Sequence, residues 1–483
     1  MCRLRAPAAA LALALASCAL APRYHRPAAP VPAEVTGSTA GATDGASVAG
    51  LGWRDLFGDE RLKALVALAL RNNRDLRVAA LNVELTRAQF RIQRAERLPS
   101  VSATASGARQ RVPADLSSTG EAVTSSSYSV GVAATAFELD LFGRVRSLSD
   151  AALEQYFATE EARRSAHLAL VAQVATQYLA QRALDDQVAL TRRTLETVES
   201  SYALAKRTYE AGRTSELDLR TAEAQVQTAR FDLSSALEQL ARAHNALVLL
   251  VGQPLPDELP PPTPLDAQAL LADLPAGVSS EVLLRRPDIL AAEHGLLSAN
   301  AVIGAARAAF FPSISLTAFG GTSSAELSGL FGGGSGTWSF TPQLRLPLFQ
   351  GGALRASLDA AEVRKSIEVA RYERAIQVAF REVADALVAR AALEEQLEAQ
   401  RARVAAEQRR YELSELRYRK GVDSYLGVLT AQRDLFAAQQ ILIQSRLARL
   451  TNLVDLYRAL GGGWLERSVP GPAQAPGQAP QGS

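Results

Sequence analysis

Residues able to do covalent, metal or acid–base chemistry are few in this chain, and their spacing argues against catalysis. The four histidines, His25, His167, His244 and His294, are scattered. None belongs to an HExxH or other metal-ligand pattern. Cysteine occurs only at positions 2 and 18, so disulfides and thiolate metal sites are excluded from the body of the protein. No glycine-rich phosphate loop opens a helix in a βαβ context. The run LFGGGSG (330–336) lies between two strand-like segments and reads as a hairpin loop. Acidic and basic residues along the helical stretches have the i,i+4 spacing of surface partners. The chain is therefore expected not to be an enzyme, and to hold neither metal nor cofactor.

Two groups remain that could do something. One is Cys18, which ends Leu15-Ala16-Ser17-Cys18 after Arg3, Arg5 and the short apolar stretch Ala8–Ala16. A basic start, an apolar stretch too short to span a bilayer and small residues at its end make a secretory signal over residues 1–17. The ending resembles a bacterial lipobox, which implies a covalent lipid on Cys18. Ala19, where an Asp would imply inner-membrane retention, favours the outer membrane. The other group is a pair of charged clusters around Gly212 and Gly421: Arg213, Glu216, Asp218 and Arg220 in the first, Arg419, Lys420, Asp423 and Arg433 in the second. Most such clusters are solvated helix ends. They could also bridge or repel one another where helix ends converge.

The two clusters correspond because the chain repeats itself. Tyr202, Leu204, Tyr209, Gly212, Leu217, Thr221, Ala222 and Gly252 recur 209 positions later as Tyr411, Leu413, Tyr418, Gly421, Leu426, Thr430, Ala431 and Gly461. LPSVSATASG (98–107) returns as FPSISLTAFG (311–320), and FELDLFGR (137–144) as LRLPLFQGG (344–352). The expected organisation is a signal over 1–17 and a lipidated N-terminus and flexible linker over 18–58. Structural repeats then occupy 59–255 and 280–466, joined by a Pro-rich linker over 256–279, and a disordered tail covers 467–483.

Each repeat reads helix, strand, strand, long helix, helix. No proline occurs from Gly143 to Gln253 or from Leu348 to Val469. Val188, Leu195, Tyr202 and Tyr209 recur every seven residues, with Thr191, Val198 and Ala205 filling the three-four spacing between them, and Leu397, Val404, Tyr411 and Tyr418 repeat the sevenfold spacing, which is a coiled-coil seam placing both terminal tyrosines in a core. Gly212 and Gly421 mark C-terminal caps, after which helix is expected to resume near Thr214 and Asp423. The long helix would extend about 100 Å, and the two shorter ones about 55 Å each, so two laid end to end match one long one in a rod.

Strand-like segments alternate apolar and polar residues, most clearly in Trp338–Leu346 and Pro312–Ala318, more weakly in Ser100–Ala105 and Tyr128–Ala133. That pattern suits a membrane β-barrel, with Tyr128, Phe311 and Trp338 at strand ends as an aromatic girdle. A soluble sheet with one wet face shows it equally well. Four strands cannot close a barrel, and an open edge in lipid strands its backbone groups. Membrane strands therefore require several protomers, and three supply about twelve strands. Beyond the signal no run of 18 apolar residues is evident, so a helical membrane protein is not expected. Formal net charge is +2, with no basic face for nucleic acid.

LASC, FELDLFGR, RRPD (285–288), FPSISL, PLFQGG, YRKGVDSYLGVLTAQRDLFAAQQ (418–440) and LYRALGGGW (456–464) together resemble the outer membrane factors. These are the TolC/OprM-like family, in particular the lipoproteins serving resistance-nodulation-division pumps. The resemblance implies a mainly α subunit of a homotrimer, with a twelve-stranded β-barrel in the outer membrane continued by a twelve-helix α-barrel tunnel. It further implies a periplasmic membrane-fusion adaptor and an inner-membrane resistance-nodulation-division transporter as partners, with drugs or other toxic solutes passing unchanged. Ducts for type I protein secretion or heavy-metal efflux share the architecture. The tip and gate would comprise Gly212, Arg213, Asp218, Arg220, Gly421, Asp423, Leu426, Thr430 and Arg433. Asp218 matches an acidic residue bonding neighbouring helices, and Leu426 and Arg433 a constriction leucine and its arginine. Thr430 stands where the family often has Asp, so the carboxylate ring proposed there is expected to be missing.

Overall fold

In a computed structural model describing residues 20–32, 51–268 and 283–468, the proline-free stretches are helical nearly throughout. Helices α1 (Trp53–Leu56), α2 (Glu60–Asn72) and α3 (Arg74–Ala95) lead to strands β1 (Val101–Val112) and β2 (Val123–Leu139). The 67-residue α4 (Arg144–Glu210) and α5 (Glu216–Val251) complete the first half. The second half holds α6 (Pro287–Ala308), β3 (Ser313–Ser324), β4 (Gly336–Arg345), the 67-residue α7 (Ala353–Arg419) and α8 (Tyr425–Ala459). Residues 1–19, with the expected signal and Cys18, and the tail beyond 468 lie outside the described residues.

The described residues belong to two compact units. One comprises 1–28, 82–160 and 291–373, and the other 29–81, 161–290 and 374–483. The first contains the sheet, four antiparallel strands in the order β1-β2-β3-β4. Both hairpins pair in continuous register, and β2 joins β3 across the middle. That central ladder shifts between Ala134 and Phe137, where two residues, Thr135 and Ala136, face Thr317 alone. Ala136 takes φ 51° and donates its N–H to Thr317 Oγ1 at 3.1 Å. This is a β-bulge, which bends and twists a strand.

Within the same unit, residues 20–26 lie along α6 and are held there. Arg26 makes two 2.7 Å bonds to Glu293, and the Tyr24 hydroxyl donates to Glu293 at 2.9 Å. Asn300 Nδ2 donates to the Pro22 carbonyl at 2.8 Å. The flexible linker expected from composition is thus an anchored strap at its start, because α6 offers a carboxylate that tyrosine and arginine satisfy together. Of the described helices, α6 alone is long and apolar enough to cross a membrane by length and composition, although Glu293, His294, Ser298 and Asn300 interrupt it, so it is no unbroken apolar run. A core helix passes the same test, and α6 engages its ionisable groups within the protein: His294 Nδ1 meets Glu154 at 2.7 Å.

The second unit carries the larger apolar core, including Trp53, Leu62, Val174, Leu179, Leu247, Ile289 and Leu456. Asn73 breaks the helix that sequence periodicity runs through it. Its N–H closes α2 on Ala69 O, its Oδ1 accepts from Leu76 N at 2.9 Å to start α3, and its Nδ2 reaches Leu250 O. Buried Arg286 donates to the Ala459 carbonyl at 2.8 Å, capping the end of α8, and pairs with Asp288 and Glu382. Charges this well buried are stable only when paired and hydrogen-bonded.

Candidate functional site

Both helical hairpins of the second unit turn on a glycine in the left-handed conformation, Gly212 at φ 67° and Gly421 at φ 71°. At the first turn, Gly212 N–H donates to Tyr209 O and Arg213 N–H to Thr208 O. At the second, Gly421 N–H donates to Tyr418 O and Val422 N–H to Arg417 O. These are matching Schellman ends, and a Cβ at either glycine would be strained. Helix resumes two residues later than expected, at Glu216 and Tyr425, because Ser215 and Ser424 take the N-cap positions.

The two turns diverge after their glycines. Ser215 Oγ accepts from Asp218 N, and the Asp218 carboxylate accepts from Ser215 N–H and Oγ–H, a full capping box. Within the protomer, then, Asp218 is engaged by its own helix start. Arg220 meets Glu223 at 2.8 Å and Glu216 at 3.4 Å. Ser424 makes no side-chain cap bond. Arg417 instead grips Asp423 with two bonds of 2.5 and 3.0 Å. That contact holds the Asp423 carboxyl below its ordinary range. Among the described residues Arg433 reaches only Asp434, at 3.5 Å, while Asp434 is held at 3.0 Å by Arg410.

A small core locks the hairpins to each other. Ala205 of α4, Ala222 of α5, and Tyr425, Val428 and Leu429 of α8 are buried together, with Tyr202, Tyr411 and Tyr418 packed against them. Burial pushes the Tyr425 hydroxyl up to about 12. Tyr418 packs as expected, its ring 5.3 Å from that of Tyr425. Tyr209 does not: it is 38% exposed, and the buried line of α4 runs through Val188, Thr191, Val198 and Ala205. The seam's three-four row, Thr191, Val198 and Ala205, is the more deeply buried of its two rows. Leu426 and its counterpart Leu217 project into solvent at 67% and 76% exposure. Thr430, one turn beyond Leu426, donates its hydroxyl to the Leu426 carbonyl at 2.9 Å. Gly212, Arg213, Asp218, Arg220, Gly421, Asp423, Leu426, Thr430 and Arg433 thus share one hairpin pair. The buried Tyr425, which anchors it, is not marked by the repeat because Glu216 stands at its counterpart position.

In the first unit the strand register sorts the sheet into two faces. Tyr128, Val130, Val132 and Phe137 of β2, Ile314 and Leu316 of β3, and Trp338, Phe340 and Leu344 of β4 share the apolar one. The opposite face carries Ser102, Thr104 and Ser106 of β1, Ser315 and Thr317 of β3, and Ser339, Thr341 and Gln343 of β4. Trp338 is 80% exposed, and Phe311 stacks on Phe142 at 4.7 Å where strands meet helices. Tyr128 lies inside β2, not at its end, and covers Gly107 across the ladder. The strands outrun the segments that alternate cleanly. β1 and β4 each keep one unpaired edge. Cys18 lies outside the described residues. Among those residues, no group of three or more His, Cys, Asp or Glu could hold a metal ion.

The profile of the outer membrane efflux protein family matches residues 65–253 and 278–462. The toluene efflux pump outer membrane protein TtgC of Pseudomonas putida is 51% identical over 477 residues, covering 98% of either chain. The outer membrane protein OprJ of Pseudomonas aeruginosa is 50% identical over 456 residues, 94% of this chain and 95% of that one. Among solved structures, the open state of the Neisseria gonorrhoeae MtrE outer membrane channel superimposes with a TM-score of 0.85. It is 43% identical over 94% of this chain and all of that one. With its sheet, hairpins and sequence all of this kind, the chain belongs to the outer membrane efflux protein family.

Proposed function

We propose that three copies of this chain close a twelve-stranded barrel in the outer membrane, β1 of each copy pairing with β4 of the next. The single observation carrying this is the sheet itself: four strands with one apolar face and two open edges. Each unpaired backbone group in hydrocarbon costs several kcal/mol, and closure removes every edge. Exposed Val78, Leu81, Leu85 and Ile92 make an unpartnered apolar stripe along α3, which supports helix packing between copies as well. The helices would continue the barrel as a twelve-helix periplasmic tunnel, ending at the hairpins of Gly212 and Gly421. A lipid on Cys18 would secure the N-terminus in the same membrane.

The duct serves a tripartite pump, receiving solutes from a periplasmic adaptor and an inner-membrane resistance-nodulation-division transporter and releasing them chemically unchanged. Its cargo is small, apolar or amphiphilic, as relatives named for toluene, solvent and antibiotic efflux suggest. Cysteine pairs scanned along β1 and β4 test the assembly, since natural cysteine occurs only at positions 2 and 18. Oxidised membranes should give a ladder of bands that ends at the trimer. A ladder ending at two, or running past three, would refute the threefold barrel.

A further inference from the structure

The apolar face of the sheet gives way to arginine at its loop end. On β1, Val101, Ala103, Ala105 and Gly107 face the same way as Arg109 and Arg111, which pair across the ladder with Ser126 and Thr124. Both arginines are exposed, and neither forms an ion pair among the described residues. A lumen-facing arginine would need no special reader. These two share the face of Trp338, Phe340 and Leu344, which the barrel reading turns towards lipid.

The height of the apolar band fixes where they stand. It begins at the level of Ile314 and Leu139, which pair, and reaches Tyr128, paired with Ser324. From Ile314 to Ser324 is ten steps of about 3.3 Å, which at a tilt of about 40° climb about 25 Å, the full height of a barrel's apolar belt. Tyr128, lying over Gly107, therefore marks the outer boundary of hydrocarbon. Arg109 and Arg111 follow Gly107 by two and four residues, about 5 and about 10 Å further out. That is headgroup depth. A planar guanidinium is the side chain best matched to phosphate oxygens, which it can hold through two parallel bonds.

We propose that Arg109 and Arg111 form a binding site for the phosphate groups of a phosphorylated glycolipid in the outer leaflet, one site per protomer on the outward face of β1. The inference rests on the barrel reading above. Arginines merely solvated beside a loop would show no preference for phosphate on a lipid. At this depth the ligand is a membrane component and needs no lumen access, so binding and transport separate.

The purified trimer, its melting temperature followed in detergent, is titrated with bis-phosphorylated lipid A, with the dephosphorylated glycolipid, and with inorganic phosphate. Bis-phosphorylated lipid should raise the melting temperature, and the other two should not. The R109Q/R111Q double variant should lose about tenfold or more in apparent lipid affinity while keeping wild-type conductance in planar bilayers. Equal stabilisation of variant and wild type, or equal stabilisation by the dephosphorylated lipid, would overturn the site. Absence of conductance in the wild type would instead remove the barrel beneath it.

Discussion

Asp59 shows how much depends on single ionised groups in the second unit. It is 3% exposed, and burial alone would push its carboxyl up. Four donors outweigh that: Gln268 Nε2 and the Tyr178 hydroxyl on Oδ2, and the Leu62 and Arg61 N–H groups on Oδ1. The net result is a carboxyl below its ordinary range. A group lowered in the folded state contributes stability that is complete above the ordinary aspartate value of about 4 and is lost as pH falls through the folded value. Asp59→Asn should therefore cost about 2–3 kcal/mol at pH 7, since an amide NH₂ must face one of the two donor pairs, Tyr178 and Gln268 or Arg61 and Leu62. Thermal unfolding from pH 7 to pH 3 provides the check. The gap between wild type and variant should narrow below about pH 4, and a constant gap would show that the charge is not what stabilises the site.

At the scale of elements, the hairpins pair equal glycine ends with unequal helix starts. Ser215→Ala removes one half of a reciprocal capping box and should cost about 1 kcal/mol. Ser424→Ala removes no side-chain bond and should cost only a few tenths. Amide exchange at the first turns of α5 and α8 would measure both, and equal losses would contradict the geometry. The same elements show what can be read from sequence. Gly212 and Gly421 are legible because a left-handed helix end is a local demand that glycine meets almost alone. The strands are legible through alternation. The break at Asn73 is not, because its cause is the end of α5, far along the chain. Nor is the bulge at Ala136, where an alanine occupies a conformation its type disfavours and Thr317 on the next strand receives the freed N–H. Tyr209 misleads for a related reason. Spacing identifies both rows of the seam, but which row is the more deeply buried depends on where the partner helix lies, and Tyr425 settles that from the other hairpin. The anchored strap at Tyr24 and Arg26 is hidden as well, since proline and alanine around it suggest freedom while Glu293 removes it.

The proposed trimer would have one property that no protomer has, the composition of its rings. In that trimer each side chain near the threefold axis would be present three times, so a carboxylate there would confront two others, and mutual repulsion would be relieved by recruiting cations. Along the exposed edge of α8, Leu426, Thr430 and Arg433 succeed one another, with Thr430 where a carboxylate is common in the family resemblance. Its hydroxyl is committed to the Leu426 carbonyl, so it offers the axis neither charge nor a strong free acceptor. Asp423 is near enough to stand in for a carboxylate there, but Arg417 holds it at close range, so it is expected to contribute little free charge. The pore of the proposed trimer should consequently discriminate weakly between cations and anions at its hairpin end. Thr430→Asp would restore three carboxylates and should raise the cation-to-anion permeability ratio by about tenfold, the low end of what one-signed rings add to local counter-ion concentration. Thr430→Asn, of similar shape and uncharged, should leave the ratio unchanged. Reversal potentials in asymmetric salt read this directly, and the shift should shrink as ionic strength rises. A wild-type pore already strongly cation-selective, with Thr430→Asp adding nothing, would place position 430 away from the axis.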